Sequence, residues 1–208
     1  MANYILAITG ASGSIYALRL LEAFLEKRIT THLVISKPAQ VVAQQELGRS
    51  WTEILENDYH SSGKSELLKF WHVDDFSAPI ASGSFPSQGM VVVPTSMSTL
   101  AGIAQGFSTN LIQRGADIML KEKKPLVLVP RETPLSTIHL KNMLTLCQAG
   151  AHIVPPIPAF YNHPRTIDEM IDFIVGRILD VLRIENQLYQ RWGEESGQLI
   201  RIGGMLSV

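Results

Sequence analysis

Residues 4–26 read YILAITGASGSIYALRLLEAFLE. Tyr4–Thr9 is a short apolar run, and Gly10-Ala11-Ser12-Gly13 breaks it. From Ser14 the period changes. Ile15, Leu18, Leu21 and Leu25 fall on one helical face, and Arg19, Glu22 and Glu26 fall on the other. This is a strand, a glycine turn and an amphipathic helix, and the rest of the chain repeats the alternation.

His32–Ser36 is the next apolar run, and Gln40–Leu47 the next helix. Ser50-Trp51-Thr52-Glu53 fits a capping box and predicts a further short helix. Residues 56–70 carry Asn57, Asp58, His60, Ser61, Ser62 and Gly63 and read as loop, as does the Ser-, Gly- and Pro-rich Ala81–Gln88. Met90–Val93 and Leu126–Val129 are unbroken apolar runs closed by Pro94 and Pro130. Continuous rather than alternating apolarity marks strands buried on both faces, as in a parallel sheet. Leu111–Lys121 and Leu135–Ala149 read as helices, the second stopped by Gly150. His152–Val154 is a last strand, and Thr166-Ile167-Asp168-Glu169 is a capping box for a helix through about Leu182. The alternation predicts an α/β fold, an open parallel sheet with helices on both faces. Ligands in such folds sit at the carboxyl ends of the strands.

Composition narrows the class. With 208 residues, 46% of them hydrophobic and 18% charged, the chain reads as a single domain, 1–208, with a C-terminal tail from about 193. Eighteen Lys and Arg against 19 Asp and Glu give a net charge of −1, which argues against a polybasic nucleic-acid protein. The lone Cys147 excludes an intrachain disulfide and a cysteine metal cluster, and fits the cytoplasm. It reads as a buried, inert thiol. The N-terminus shows no basic leader, and no run approaches the length of a membrane span. Histidines 32, 60, 72, 139, 152 and 163 show no ligand spacing, so no metal is expected. Trp51, Trp71 and Trp192 read as packing residues rather than cofactor stackers.

The strand ends carry the reactive side chains. Gly10-Ala11-Ser12-Gly13-Ser14 reads as a phosphate cradle at a helix N-terminus, or as a plain strand–helix turn. It is neither a Walker loop nor Gly-x-Gly-x-x-Gly. Pro94-Thr95-Ser96-Met97-Ser98-Thr99 offers three hydroxyls at a helix start after its strand, Ser96, Ser98 and Thr99. Capping explains one of them, and three suit a ligand with several acceptors. Arg131-Glu132 at a strand end is either a surface ion pair or an Arg for phosphate beside a Glu for proton transfer. Arg177 interrupts an apolar helix face, either snorkelling or serving a buried anion.

The blocks Thr9–Tyr16, Ala81–Ser84, Leu120–Glu122, Pro125–Pro134 and Pro158–Tyr161 together resemble the flavin prenyltransferase family, UbiX-like and formerly called aromatic-acid decarboxylases. The resemblance spans about residues 3–192. It implies a three-layer Rossmann-type, flavodoxin-like fold in a homododecamer. It implies transfer of a dimethylallyl group from dimethylallyl monophosphate to N5 and C6 of reduced FMN, without a metal. The prenylated FMN would go to a UbiD-type decarboxylase, as in ubiquinone biosynthesis. By position it assigns Gly10, Ala11, Ser12, Ser36, Ser96, Met97, Ser98, Thr99 and Arg131 to FMN. It assigns Lys121, Arg131, Tyr161 and Arg177 to the prenyl phosphate, with Arg114 from a neighbouring subunit. Ser12, Glu46 and Glu132 match the proton-handling positions. Many relatives carry a Trp where this chain has Phe76, so the aromatic wall departs from the family pattern.

The chemistry suits these residues. A phosphate leaving an allylic carbon needs fixed cations, and Arg supplies a fork where Lys supplies a point charge. The developing cation needs a dry cavity with π faces. The alternatives are an FMN-dependent cysteine decarboxylase of the same fold and a flavin carrier. The first is expected to carry an Asn in the Pro94–Leu100 loop, and the second has no need of a second anion pocket.

Overall fold

The computed structural model describes residues 2–59 and 65–193. The C-terminal tail beyond Gly193 lies outside the described residues, as does His60. Six strands form one sheet: β1 Asn3–Ile8, β2 Thr30–Ile35, β3 Leu68–Trp71, β4 Met90–Thr95, β5 Leu126–Pro130 and β6 His152–Ile153. Every pairing is parallel, and the order is β3-β2-β1-β4-β5-β6. The helices are α1 Ser14–Glu26, α2 Lys37–Leu47, α3 Trp51–Ile54, α4 Met97–Ala104, α5 Leu111–Lys121, α6 Thr137–Gln148 and α7 Ile167–Val181.

The unbroken apolar runs serve two cores at once. Leu6 and Ile8 of β1, Val91 and Val93 of β4 and Val127 and Val129 of β5 face α1, α2 and α7. The alternate residues Ile5, Ala7, Met90, Val92, Leu126 and Leu128 face α4, α5 and α6. Strands with helices on both faces bury every side chain, which is why alternation is absent from the sequence. Helix α1 goes further than its predicted stripe. Ala17, Leu20, Leu21 and Phe24 press on the sheet, while Ile15 and Leu18 pack against the same core only half-buried. The Arg19 Nε donates to Asp172 of α7 at 2.6 Å.

Three expectations need correcting. The stretch 56–70 is not all loop, since its end forms β3 and a π-helical turn runs over Leu55–Tyr59. The strand hid because it is an edge strand of four residues whose Lys69 and Phe70 face solvent, leaving no apolar run to see. Cys147 is exposed, not buried, because α6 turns only Asn142 and Leu146 fully inward. Trp192 is 80% exposed and so is no core residue, whereas Trp51 is fully buried.

Two buried threonines tie the strand ends together. Thr9 Oγ1 donates to the Pro94 carbonyl at 2.7 Å and accepts from the Ser96 N–H at 2.7 Å. Thr95 Oγ1 donates to the Val92 carbonyl at 2.6 Å and accepts from the Val129 N–H at 2.9 Å. The Val93–Pro94 peptide is cis, and the β4–β5 register shifts between Val92 and Thr95. The two hydroxyls satisfy backbone groups that this irregularity takes out of the ladder. Thr9→Val keeps the side-chain volume but orphans the Ser96 N–H and leaves the Pro94 carbonyl only the bond from the Thr9 N–H at 3.3 Å. It should lower stability by roughly 1–3 kcal/mol, the cost of one orphaned group, as read from the urea midpoint. A midpoint equal to that of the wild type would show that water replaces both bonds.

Candidate active site

The sheet order reverses between β1 and β4. Helix α1 leaves β1 toward one face, and α4 leaves β4 toward the other. A crevice opens at that point, outside the carboxyl ends of both strands. It is a cavity of about 320 Å³, lined by Gly10, Ala11, Ser12, Glu46, Ser96, Met97, Arg131 and Glu132, with Val42 and Gln45. The sequence-predicted loops after β1, β4 and β5 therefore meet in one place. Thr9 and Thr95 hold them there, and neither was among the predicted site residues. Their signal was a threonine closing each strand beside Gly10 or Pro94, which reads as ordinary loop chemistry.

The structure changes the reading of the glycine loop. The N-terminus of α1 already holds an anion. The Glu46 carboxylate accepts from the Gly13 N–H at 3.0 Å and from the Ser14 N–H at 2.8 Å. Gly13 has φ 115°, a left-handed conformation that favours glycine. A β-carbon on Gly10 would stand 2.4 Å from the Pro38 Cβ of α2. Both glycines thus answer to the chain's own packing, and the cradle is filled from within rather than open to a phosphate. Burial pushes the Glu46 carboxyl up. The Ser12 hydroxyl and the backbone N–H groups of Ser14 and Gly13 outweigh it and hold the group below the usual glutamate range. Glu46 is thus an ionised base carrying the Ser12 hydroxyl.

The α4 hydroxyls divide. Ser96 caps the helix, accepting from the Thr99 N–H at 3.3 Å and lying 3.0 Å from the Thr99 hydroxyl, while Ser98 is exposed. Ser36 likewise caps α2, accepting from the Ala39 N–H at 3.3 Å. Capping therefore accounts for two hydroxyls of the three, and Met97 adds an apolar side chain to the wall. Arg131 is exposed at the end of β5, its Nε 3.4 Å from the Ser12 carbonyl. Glu132 accepts from the Thr133 N–H at 3.0 Å.

The remaining predicted residues are elsewhere. Arg114 and Lys121 lie on α5, which feeds the amino end of β5, whereas Arg131 follows its carboxyl end. Five residues of strand separate those ends by roughly 16 Å. Arg114 Nε donates to the Ala81 carbonyl at 3.1 Å, and Lys121 Nζ pairs with Glu122 at 2.6 Å beside Gly83. Gly83 is thus at the amino end with Lys121, while Arg114 is only four residues into α5, whose Leu111 N–H bonds to the Val73 carbonyl beyond β3. Tyr161 and Arg177 form a third group, linked by rings. Tyr161 meets Phe173 edge-on at 6.1 Å, Phe173 meets Tyr189 at 5.0 Å, and the Tyr189 hydroxyl accepts from Arg177 Nη1 at 3.2 Å. Trp192 stands edge-on to Tyr161 at 5.1 Å. Phe76 is half-exposed in the loop after β3. Among the described residues, none of Arg114, Lys121, Tyr161 and Arg177 lines the crevice of Ser12 and Arg131.

The Glu46 arrangement has a pH signature. A carboxyl held down in the fold contributes stability that is present above its unfolded value and lost as pH falls through the folded one. The stability gap between wild type and Glu46→Gln should therefore be full at pH 7 and close as pH falls through the usual glutamate range and below it. Thermal melts across that range measure it. A gap that widens on acidification would contradict the assignment.

The chain is similar to known proteins over most of its length. A family model described as flavoprotein matches residues 2–179. The flavin prenyltransferase UbiX of Halalkalibacterium halodurans is 48% identical over 194 residues, 92% of this chain and 94% of the relative. The crystal structure of AnUbiX (PadA1) in complex with FMN and dimethylallyl pyrophosphate superposes with a TM-score of 0.81 at 44% identity, covering 92% of this chain and 97% of that one. A dodecameric FMN-dependent UbiX-like decarboxylase from Escherichia coli O157:H7 gives a TM-score of 0.83 at 43% identity, over 91% and 98% of the two chains. Sheet order, switch-point crevice and near-complete alignment agree: this chain belongs to the UbiX-like flavin prenyltransferase family.

Proposed function

We propose that this protein transfers a dimethylallyl group from dimethylallyl monophosphate to reduced FMN. The allylic C–O bond breaks, phosphate leaves with its electron pair, and bonds form at N5 and C6 of the flavin. The observation that carries this reading is the crevice itself. It places Arg131 and Glu132 beside a Ser12 hydroxyl already held by an ionised Glu46, in a chain of this family.

The residues fit a flavin. Gly10, Ala11 and Ser12 offer backbone groups to the polar edge of the ring, and Met97 offers an apolar face. Since Glu46 fills the head of α1, the FMN phosphate falls to Ser36 and to Ser96, Ser98 and Thr99, with Ser98 the exposed hydroxyl. Ser12, backed by Glu46, and Glu132 take up and return the protons that the transfer displaces. Arg131 reaches the leaving phosphate from the flavin side.

Arg131 needs company. A dianionic leaving group calls for several fixed cations when no metal neutralises it. Lys121 is at the other end of the sheet and Arg114 lies outside the crevice, so in this proposal a neighbouring copy brings them to it. Tyr161 and Arg177 complete the phosphate site, and Phe76 stands where a relative's Trp would wall the allyl group. The α6 face supports assembly, with Ile138 68% and Leu144 58% exposed on a helix that fully buries two residues. A dodecamer like that of the Escherichia coli relative would cover it. The proposed recipient of prenylated FMN is a UbiD-type decarboxylase. We place the protein in the cytoplasm, on its single cysteine; no helix among the described residues is long and apolar enough to cross a membrane.

Anaerobic protein mixed with reduced FMN and dimethylallyl monophosphate should yield an extracted flavin heavier by one C5 unit in the mass spectrum. Arg131→Ala should cut that yield about a hundredfold or more, the scale of losing a charged hydrogen-bonding partner in the transition state. Unmodified flavin from protein that demonstrably binds FMN would sink the proposal.

A further inference from the structure

After α7 the chain turns at Arg183, whose φ is 58°, and returns along the helix. Tyr189 then presses on Gly176. A β-carbon there would stand 2.4 Å from Tyr189 Cδ1 and 3.0 Å from Asn186 Oδ1, so only glycine admits the return segment. At the centre of the contact is Asp180, its side chain 15% exposed. Its carboxylate accepts from Arg191 Nη2 at 2.7 Å and Nη1 at 2.9 Å, and from the Asn186 amide at 2.9 Å. It also accepts from the Tyr189 hydroxyl at 2.5 Å and from Arg177 Nη1 at 3.2 Å. Burial pushes the Asp180 carboxyl up, and the bonds from Arg191, Tyr189 and Asn186 outweigh it, so the group stays ionised.

Arg177 is held at one corner. Its Nη1 donates to both Asp180 and the Tyr189 hydroxyl, each at 3.2 Å. Its Nε and Nη2 meet no partner among the described residues. That remaining edge is the fork that takes an oxyanion with two parallel bonds. Arg177 also lines a cavity of about 630 Å³ beside β6, with His152, Pro155 and Phe173 in its wall. A long, flexible side chain loses entropy when a ligand orders it, and an anchor at Nη1 removes that cost in advance.

Resting on the prenyl-phosphate reading of Arg177, we propose that Asp180 and Tyr189 are positioning residues: they fix Arg177 so that its outer edge receives the phosphate of the prenyl donor. Neither touches the donor. A purely structural clamp would hold the return segment and leave phosphate recognition alone.

Tyr189→Phe keeps the ring on Gly176 and removes the hydroxyl's bonds to Asp180, Arg177 and Arg191, and Asp180→Asn keeps the shape and removes the charge. Each should raise the KM for dimethylallyl monophosphate and the inhibition constant of inorganic phosphate by about tenfold. The dissociation constant of FMN should not move, because the flavin crevice is elsewhere in the chain. Wild-type values of KM and of phosphate inhibition in both variants, with Arg177→Ala impaired, would overturn the positioning role and leave the prenyl-phosphate reading standing. A parallel loss of FMN affinity would also overturn it, as general loosening. Arg177→Ala at wild-type values would instead remove the phosphate reading on which the role rests.

Discussion

The Thr9 hydroxyl bonds to Pro94 and Ser96 at the point where the sheet order reverses. The crevice exists because β1 and β4 are neighbours whose helices leave toward opposite faces. The Thr9 hydroxyl ties its loops together there, beside the direct bond from the Thr9 N–H to the Pro94 carbonyl at 3.3 Å. Thr95 repeats the device one strand over, taking the Val129 N–H. These buried hydroxyls convert a topological rule into a place where Ser12, Met97 and Arg131 stand together. The glycines that look like ligand-binding features serve the same scaffold, Gly10 by admitting Pro38 and Gly13 by its positive φ.

Much of the fold was legible because burial leaves a mark on composition. Strands β1, β4 and β5 are covered on both faces, and their sequences are apolar without alternation. Helix α5 has the predicted bounds, Leu111–Lys121, because Asn110 caps it and its apolar face is regular. β3 was illegible for the converse reason: it is short, at an edge and half-solvated, so Lys69 and Phe70 carry no periodic signal. Cys147 was misplaced because α6 turns an apolar face outward, and composition cannot say which neighbour covers a face.

The site was legible residue by residue and not as geometry. The loops at the carboxyl ends were found by their small and hydroxylic residues. That Glu46, 33 positions from Gly13, fills the N-terminus of α1 leaves no trace in local sequence. Nor does the convergence of Asn186, Tyr189 and Arg191 on Asp180. Long-range pairing of this kind is decided by packing, and the sequence shows it only through Gly176, a glycine inside a helix.

The single chain also sets a limit on its own chemistry. Arg131 stands at one end of β5, and Lys121 precedes the other. If both serve one leaving phosphate, the catalytic unit is an assembly, and the exposed apolar face of α6 is part of the catalytic design as well as of solubility. Mixing subunits tests that claim directly. Arg131→Ala and Lys121→Ala chains, each inactive alone, would be unfolded, mixed, refolded together and assayed for prenylated flavin. The account predicts recovered activity, because some shared sites regain both intact cations from different copies. Mixed oligomers that form but stay inactive would contradict it and place each complete site within one chain.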